Sequence, residues 1–185
     1  MDLLDQMKHR RSVRSYTGQL IAEEALKKVL QAGLLSASSR SIRPWEFVVV
    51  RDRKMLQVLS ECRIGSAKML QHADCAIVVF ADAEKSDVWV EDCSIAMANM
   101  HLMADALGLG SCWIQGRLRE APDGRSTEEY VQSALHVPTH YRLEAILSLG
   151  MPETHPAPHR IEELPVDQVH WEVFEELCYK GVSIA

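Results

Sequence analysis

Apolar residues recur along the chain with two spacings, one typical of helices and one typical of strands. The helical spacing predicts helices over residues 2–9, 22–35, 53–62, 87–107 and 126–135. Continuous or alternating apolar runs predict strands over residues 45–50, 76–81, 111–115 and 143–149. Helices come first and are then interleaved with strands, which predicts a sheet covered by helices, either α/β or α+β.

The longest predicted helix, over residues 87–107, is apolar on almost all sides. Its apolar residues include Ile95, Met97, Ala98, Met100, Leu102, Met103, Ala104, Ala106 and Leu107. A helix of this kind must be buried on most sides. In a chain of 185 residues, we expect a second subunit to supply part of that cover.

The chain length favours a single domain over residues 1–185. Its tail, residues 160–185, begins with apolar residues that alternate with polar ones, namely Val169, Trp171, Val173 and Phe174. We expect this tail to begin as an extended segment. We also expect it to pack outside its own core, on the partner subunit.

Charge, apolar-segment length and cysteine spacing bear on the partners and the location of the protein. The formal net charge of −6 argues against nucleic acid or an acidic membrane surface. The segment 93–104 is too short and too polar to span a membrane, and the N-terminus has no signal-peptide pattern. The odd, widely spaced cysteines predict reduced, buried thiols in a cytoplasmic protein; they are Cys62, Cys75, Cys93, Cys112 and Cys178.

Basic residues cluster in the first quarter of this acidic chain. Arg10, Arg11, Ser12 and Arg14 place three guanidinium groups and one hydroxyl within five residues. Such a set can hold a phosphate by bidentate hydrogen bonds and leave a positive charge for the rest of a small anion. The alternative interpretation of the segment by itself is a solvated basic turn.

Two further segments carry polar groups at the ends of predicted elements. Residues 38–47 contain hydroxyls and arginines followed by Pro44-Trp45. Such a loop can hydrogen-bond a polar ring edge and a sugar-like chain. The alternative interpretation is a plain helix–strand loop. Residues 107–116 read Leu-Gly-Leu-Gly-Ser-Cys-Trp-Ile-Gln-Gly. They lack the third glycine of the dinucleotide fingerprint and precede a strand, so the dinucleotide-binding loop is excluded.

Five motifs in order resemble the FMN-dependent nitroreductase family over about residues 5–175. They are the arginine–serine start at 10–14, the loop at 38–47, the segment at 107–116, Gly150-Met151-Pro152, and His159-Arg160. The resemblance implies an α+β fold. That fold is a three-layer α/β/α sandwich with a mixed, mainly antiparallel sheet, and it forms an intertwined homodimer with FMN at the subunit interface.

The resemblance also implies a role for each site residue. Arg10 and Ser12, with Arg11 beside them, would hold the FMN phosphate and ribityl chain, and His159-Arg160 would return to the phosphate. Arg14 would lie near the N1–C2=O edge of the flavin. A loop of the partner subunit would also contact the cofactor, through Ser38, Ser39, Arg40 and Ser41. The ring would be lined by Ile114, Gln115 and Gly116, with backbone groups near N5. The loop departs from the family pattern, with Ser41 in place of asparagine and Arg43 in place of glutamine.

The implied activity is FMN-dependent NAD(P)H oxidation coupled to reduction of a small-molecule acceptor such as a nitroaromatic, a quinone or a flavin. A ping-pong hydride mechanism needs no catalytic side chain, since the flavin carries the hydride. Either NADH or NADPH serves as donor. The alternatives are a storage or sensor module that binds FMN without turnover, and a specialised family chemistry such as flavin reduction or dehalogenation.

Histidine pairs with helical spacing raise the question of a metal site. His136 and His140, like His155 and His159, are four residues apart, but prolines lie inside both segments and exclude a regular helix. We therefore expect no metal there. Cys112 lies in an apolar setting with no identifiable base, so it is interpreted as a structural thiol rather than a nucleophile.

Overall fold

The computed structural model describes residues 2–65 and 67–174. Its helices are α1 (Leu3–His9), α2 (Glu23–Leu34), α3 (Arg53–Leu59), α4 (Trp89–Ala106) and α5 (Thr127–Leu135). Its strands are β1 (Trp45–Val50), β2 (Cys75–Asp82), β3 (Gly110–Gln115) and β4 (Tyr141–Gly150). Each helix and strand predicted from the sequence is present, with ends that differ by a few residues at most. Short 3-10 turns not expected from the sequence include Ser39–Ser41 and Lys68–Gln71.

The four strands form one antiparallel sheet in the order β1-β2-β4-β3. A parallel bridge joins Ser12 to Ser111 on β3, so the residues that follow α1 run beside this edge strand. The sheet therefore combines antiparallel strands with one parallel bridge, which agrees with the predicted mixed, mainly antiparallel sheet.

Helices cover both faces of the sheet. On β2, Ile77 and Val79 belong to a core cluster with residues of α2 and α4, whereas Val78 and Phe80 belong to a second cluster with residues of α3 and α5. A strand buried on both faces shows the continuous apolar run from which β2 was predicted. The arrangement confirms the three-layer α/β/α sandwich.

A β-bulge interrupts the pairing of β2 with β4. Val79 pairs with Ala145 and Phe80 with Leu143, which leaves Glu144 as the extra residue. The Glu144 carbonyl accepts hydrogen bonds from the backbone N–H groups of the two residues that follow β3, Gly116 at 3.1 Å and Arg117 at 2.9 Å. Bulges bend a strand locally, and this one fixes the path of the chain as it leaves the edge of the sheet.

Helix α4 is only partly covered by its own chain. Met97 and Met100 are fully buried against α2 and the sheet. Another side of the helix, along Ile95, Ala98 and Leu102, stays open to solvent, with Ile95 42% exposed. The described residues therefore leave an apolar stripe on α4 uncovered.

The segment after β4 differs from its sequence expectation. It contains 3-10 turns at Ile161–Glu163 and Val166–Gln168, so it does not begin as one extended segment. The apolar side chains of Val173 and Phe174 are exposed. Residues 175–185, with Cys178, lie outside the described residues, and packing of the tail on a partner stays a prediction.

The other four cysteines are buried free thiols, as expected from the sequence. Burial raises the pKa of the Cys62, Cys75 and Cys93 thiols to about 12, which keeps them protonated and unreactive at neutral pH. Within the described residues, none of the helices has the length and apolarity needed to cross a bilayer.

Candidate cofactor site

The basic segment that follows α1 is fixed against strand β3. Helix α1 ends at His9 with Arg10 as its C-cap, and three residues after the cap the backbone N–H of Val13 donates to the Ser111 carbonyl at 2.9 Å. The side chain of Val13 is buried, and a Cβ at Gly110 would come within 2.7 Å of Val13 Cγ1. The absence of a side chain at Gly110 therefore lets the segment approach the strand closely enough to pair with it.

A buried histidine holds the first arginine of this segment. Nη1 of Arg10 lies 3.2 Å from Nε2 of His101 on α4, and Nδ1 of His101 contacts Oγ of Ser111. A guanidinium can only donate, so Nε2 of His101 accepts and Nδ1 carries the proton that it donates to Ser111. Burial, together with the charge of Arg10, lowers the pKa of His101 to about 4, so the imidazole is neutral at neutral pH.

Arg10 and Ser12 open onto a common cavity of about 370 Å³. Residues of α1, α4 and β3 complete its lining, which consists of Met7, Arg10, Ser12, Ala98, His101, Leu102 and Trp113. One guanidinium and one hydroxyl thus face an apolar and aromatic wall. A mostly apolar cavity of a few hundred Å³ with a few convergent polar groups is typical of a small-molecule site.

Strand β3 contributes alternate residues to this side of the sheet. Trp113 lines the cavity, and its indole Nε1 donates to Oε1 of Gln115 at 2.8 Å, so the two side chains share one face. Ile114 is buried in the core on the other face. The backbone N–H of Gly116 is bonded to Glu144, and a Cβ at Gly116 would come within 2.6 Å of Leu143 Cδ2. Of the three residues predicted here, only Gln115 presents its side chain on the cavity side.

The remaining basic residues lie around the cavity rather than in it. Arg11 donates to the Ala157 carbonyl, and Arg14 is exposed. The backbone N–H of His159 donates to the carbonyl of Lys8 at 2.9 Å, which brings the segment after β4 alongside the end of α1.

Arg160 follows immediately, but its guanidinium is exposed and its Nε lies 3.4 Å from Oε2 of Glu162. The chain path therefore brings Arg160 near the basic segment. Its side chain does not share the cavity with Arg10 and Ser12.

The predicted hydroxyl loop lies at the opposite end of α4. The backbone N–H of Ser39 donates to the buried Asp92 carboxylate at 2.8 Å, and Arg40 pairs with Asp87 at 3.2 Å. Asp92 precedes His101 by nine residues, about 14 Å along a helix axis. Within one chain, Ser38, Ser39, Arg40 and Ser41 therefore do not line the Arg10 cavity, and Ser39 contacts α4 about half a helix length from His101.

Comparison with known proteins identifies the family to which the chain belongs. The family model described as the nitroreductase family matches residues 7–64 and 56–151. The chain belongs to the nitroreductase family. As a member, it is a nitroreductase-type oxidoreductase.

Similar nitroreductases are known from archaea and bacteria. An FMN-dependent nitroreductase of Clostridium difficile is 42% identical and superposes with a TM-score of 0.91, over 93% of this chain and 100% of that one. A protein of Archaeoglobus fulgidus, provisionally named NADH dehydrogenase/NAD(P)H nitroreductase, is 38% identical over 148 residues, 78% of this chain and 82% of its own. A Desulfovibrio desulfuricans structure in complex with FMN is 25% identical, with a TM-score of 0.78 over 94% of this chain and 98% of that one.

The hydroxyl loop of this nitroreductase carries unusual backbone conformations. Arg40, Ser41 and Arg43 have φ values of 52°, 55° and 53°, in the left-handed region that side chains other than glycine rarely adopt. Each such residue costs roughly 1–2 kcal/mol. Ser38 Oγ offsets part of this cost, because it accepts a 2.9 Å hydrogen bond from the backbone N–H of Arg43. Strain of this kind concentrates at functional sites.

Sequence reasoning missed five residues of the nitroreductase cavity, namely Met7, Ala98, His101, Leu102 and Trp113. Trp113 could have been found, because alternation along a strand puts residues 113 and 115 on one face and residue 114 on the other. No local signal identifies His101 or Met7 as cavity residues. Their place depends on how α1 crosses α4.

Proposed function

We propose that this nitroreductase binds FMN in the Arg10 cavity. It oxidises NADH or NADPH and reduces a small-molecule acceptor such as a nitroaromatic, a quinone or a flavin. The observation that carries the proposal is the cavity itself, which sets Arg10 and Ser12 opposite an apolar wall that contains Trp113. The FMN-dependent relative at 42% identity supports the same cofactor.

The residues present fit FMN. Its phosphate is a dianion-like group with several acceptor oxygens, which the planar guanidinium of Arg10 can engage through two parallel hydrogen bonds. Ser12 adds a hydroxyl from the same side of the cavity. The isoalloxazine ring is flat with apolar faces, which suits the wall formed by Ala98, Leu102 and Trp113.

When bound, FMN supplies the redox chemistry, taking a hydride from the nicotinamide and passing electrons to the acceptor in a ping-pong cycle. The chain binds and orients the cofactor. Arg10 and Ser12 hold the phosphate and ribityl chain, while Arg14 and Gln115 are the side chains proposed for the ring. Ile114 backs the wall from the core, and Gly116 keeps the end of β3 close to β4.

The basic segments beside the cavity serve the phosphate less directly in this proposal. Arg11 ties the segment after β4 to the phosphate-binding segment through the Ala157 carbonyl. His159-Arg160 lies alongside the end of α1 through the bond to Lys8. Arg160 can turn from Glu162 to the phosphate at small cost, because exposed ion pairs contribute little.

We further propose that the active form is a homodimer. The loop containing Ser38, Ser39, Arg40 and Ser41 contacts α4 at Asp92 and does not line the cavity of its own chain, so in this proposal it completes the cavity of a second protomer. The apolar stripe on α4 and the exposed Val173 and Phe174 of the tail support such an interface. In this proposal residues 1–185 form one domain, whose tail packs on the partner subunit.

A single reconstitution experiment tests the cofactor and the activity. The purified protein is incubated with FMN, freed of excess by gel filtration, and its visible spectrum is recorded before and after addition of NADH or NADPH. The proposal predicts a retained flavin band that fades with the nicotinamide and returns when a quinone or nitroaromatic is added. Retained flavin that NADH and NADPH both fail to reduce would instead indicate a storage or sensor module.

A further inference from the structure

Two histidines and an aspartate from distant segments meet on the side of α1 that faces α4. His9 Nδ1 lies 2.7 Å from Oδ2 of Asp105, and His155 Nε2 lies 2.9 Å from Oδ1 of the same carboxylate. His9 ends α1, Asp105 is in the last turn of α4, and His155 follows β4. The three potential ligand atoms lie within 4.8 Å of one another.

The contacts of His155 fix the orientation of its ring. Its Nδ1 lies 2.8 Å from the Pro156 carbonyl oxygen, and its Nε2 faces Asp105. A carbonyl oxygen only accepts, so Nδ1 is the donor to Pro156 and Nε2 is the ring atom directed at the carboxylate. The imidazole of His9 stacks on that ring at 4.4 Å between centroids, with an interplanar angle of 22°. The two rings thus stand side by side with one nitrogen each directed at Asp105.

The three converging ligand atoms leave a position that a divalent metal ion can occupy. Metal ions bind the unprotonated nitrogen of imidazole, so both histidines would be neutral and the metal would compensate the charge of Asp105. A ligating histidine usually donates a hydrogen bond from its other ring nitrogen to a backbone carbonyl or carboxylate. The bond from His155 Nδ1 to the Pro156 carbonyl is of this kind.

The surroundings of Asp105 also match a metal site. Its side chain is 2% exposed, and the Gln6 amide donates to Oδ2 at 2.5 Å, which orients the carboxylate. The side chains of His9 and His155 are 39% and 25% exposed. Solvent therefore reaches the nitrogen side of the cluster, where an ion can enter and retain a water ligand.

We propose that His9, Asp105 and His155 bind a divalent transition metal, with Zn²⁺ as the ion whose preferences they match best. Three N/O ligands with a fourth position open to water are typical of zinc sites. The ion would connect the end of α1, the last turn of α4 and the segment after β4. Since Arg10 follows His9 directly, the metal would also stabilise the start of the basic segment. The proposal does not depend on FMN binding.

Calorimetric titration of chelator-treated protein with Zn²⁺ tests the site, in both FMN-free and FMN-loaded samples. Wild type is expected to bind one Zn²⁺ per chain. His9→Gln and His155→Gln are expected to bind at least about tenfold more weakly, although glutamine keeps an amide donor for Asp105. The matched control is His140→Gln, since His140 is exposed and lies outside the cluster; it is expected to bind like wild type.

Co²⁺ gives a readout of the coordination itself. Wild type and His140→Gln are expected to show the visible ligand-field bands of four-coordinate Co²⁺, which His155→Gln loses. Wild type that binds Zn²⁺ no more tightly than His9→Gln and His155→Gln would overturn the proposal, as would Co²⁺ with only the spectrum of the hydrated ion. Because neither titration requires flavin, a protein that fails to bind FMN would leave this result interpretable.

Discussion

The guanidinium of Arg10 lies 3.2 Å from Nε2 of His101. The arginine proposed for the FMN phosphate is therefore oriented by a histidine that must remain neutral to accept its hydrogen bond. The Nδ1–H of His101 donates a hydrogen bond to Ser111 on β3, the strand that also pairs with the segment carrying Arg10. One buried imidazole thus links α4, the edge of the sheet and the cofactor-binding segment.

This arrangement predicts a specific loss of stability in acid. The pKa of His101 is lowered by burial from 6.5 to about 4, whereas in the unfolded chain it takes its ordinary value. Between these two pH values the unfolded state binds more protons, so the free energy of unfolding falls as pH decreases, by roughly 3 kcal/mol in total. Denaturant titrations of wild type and His101→Gln between neutral pH and about pH 4 check this.

The His101→Gln variant removes the titrating group and keeps an amide near Arg10. We expect its stability to fall less over this pH range than that of wild type, because the other groups titrate equally in both proteins. Parallel loss of stability in the two proteins would show that His101 is not held neutral.

Arg10→Ala is expected to weaken FMN binding roughly 10- to 100-fold, because a hydrogen bond to a charged group contributes about 1.5–3 kcal/mol. Fluorescence titration of FMN-free protein measures the dissociation constant. Arg119→Ala is the control, since Arg119 is exposed and its guanidinium donates to the adjacent Leu118 carbonyl. Equal FMN affinities of Arg10→Ala and Arg119→Ala would show that Arg10 does not contribute to FMN binding.

Gly110→Ala tests the close approach of the basic segment to β3. The new Cβ would stand 2.7 Å from Val13 Cγ1, and overpacking of this kind costs about 1–3 kcal/mol in unfolding free energy. Val13→Ala removes the obstructing methyl groups, so the double variant is expected to be more stable than the sum of the single effects. Strictly additive losses in denaturant titrations would argue against the contact.

Much of the fold could be predicted from the sequence because its signals are local. The unbroken apolar run of β2 identifies a strand buried on both faces, and the all-round apolar pattern of α4 identifies a helix with more apolar surface than its own chain covers. The bulge at Glu144 has no comparable signal, since it depends on how two separate strands pair.

The site could be predicted only in part, because it combines residues that are distant in the sequence. Arg10 and Ser12 are neighbours in sequence and in the cavity. Ile114 was predicted to line the ring with backbone groups near N5, and its side chain lies in the core on the opposite face of the sheet, so only its backbone can meet a ring on the cavity side. His101 becomes visible only when α4 is placed beside α1.

The apolar stripe on α4 predicts how the proposed dimer can be broken. Ile95→Glu places a charge on the stripe without altering the cavity lining, and is expected to convert dimer to monomer in sedimentation experiments. FMN binding is expected to fall with it, since the hydroxyl loop would come from the second protomer. Val58→Glu, on the exposed side of α3, is the control. A monomeric Ile95→Glu variant that keeps full FMN affinity would contradict the shared site.

The most direct test of the central claim is the visible spectrum of the FMN-reconstituted protein after gel filtration, recorded before and after NADH or NADPH. A flavin mononucleotide in the Arg10 cavity predicts a retained yellow chromophore in wild type, reduced by the nicotinamide and largely absent from Arg10→Ala. A wild-type protein that emerges colourless from the column would contradict the account.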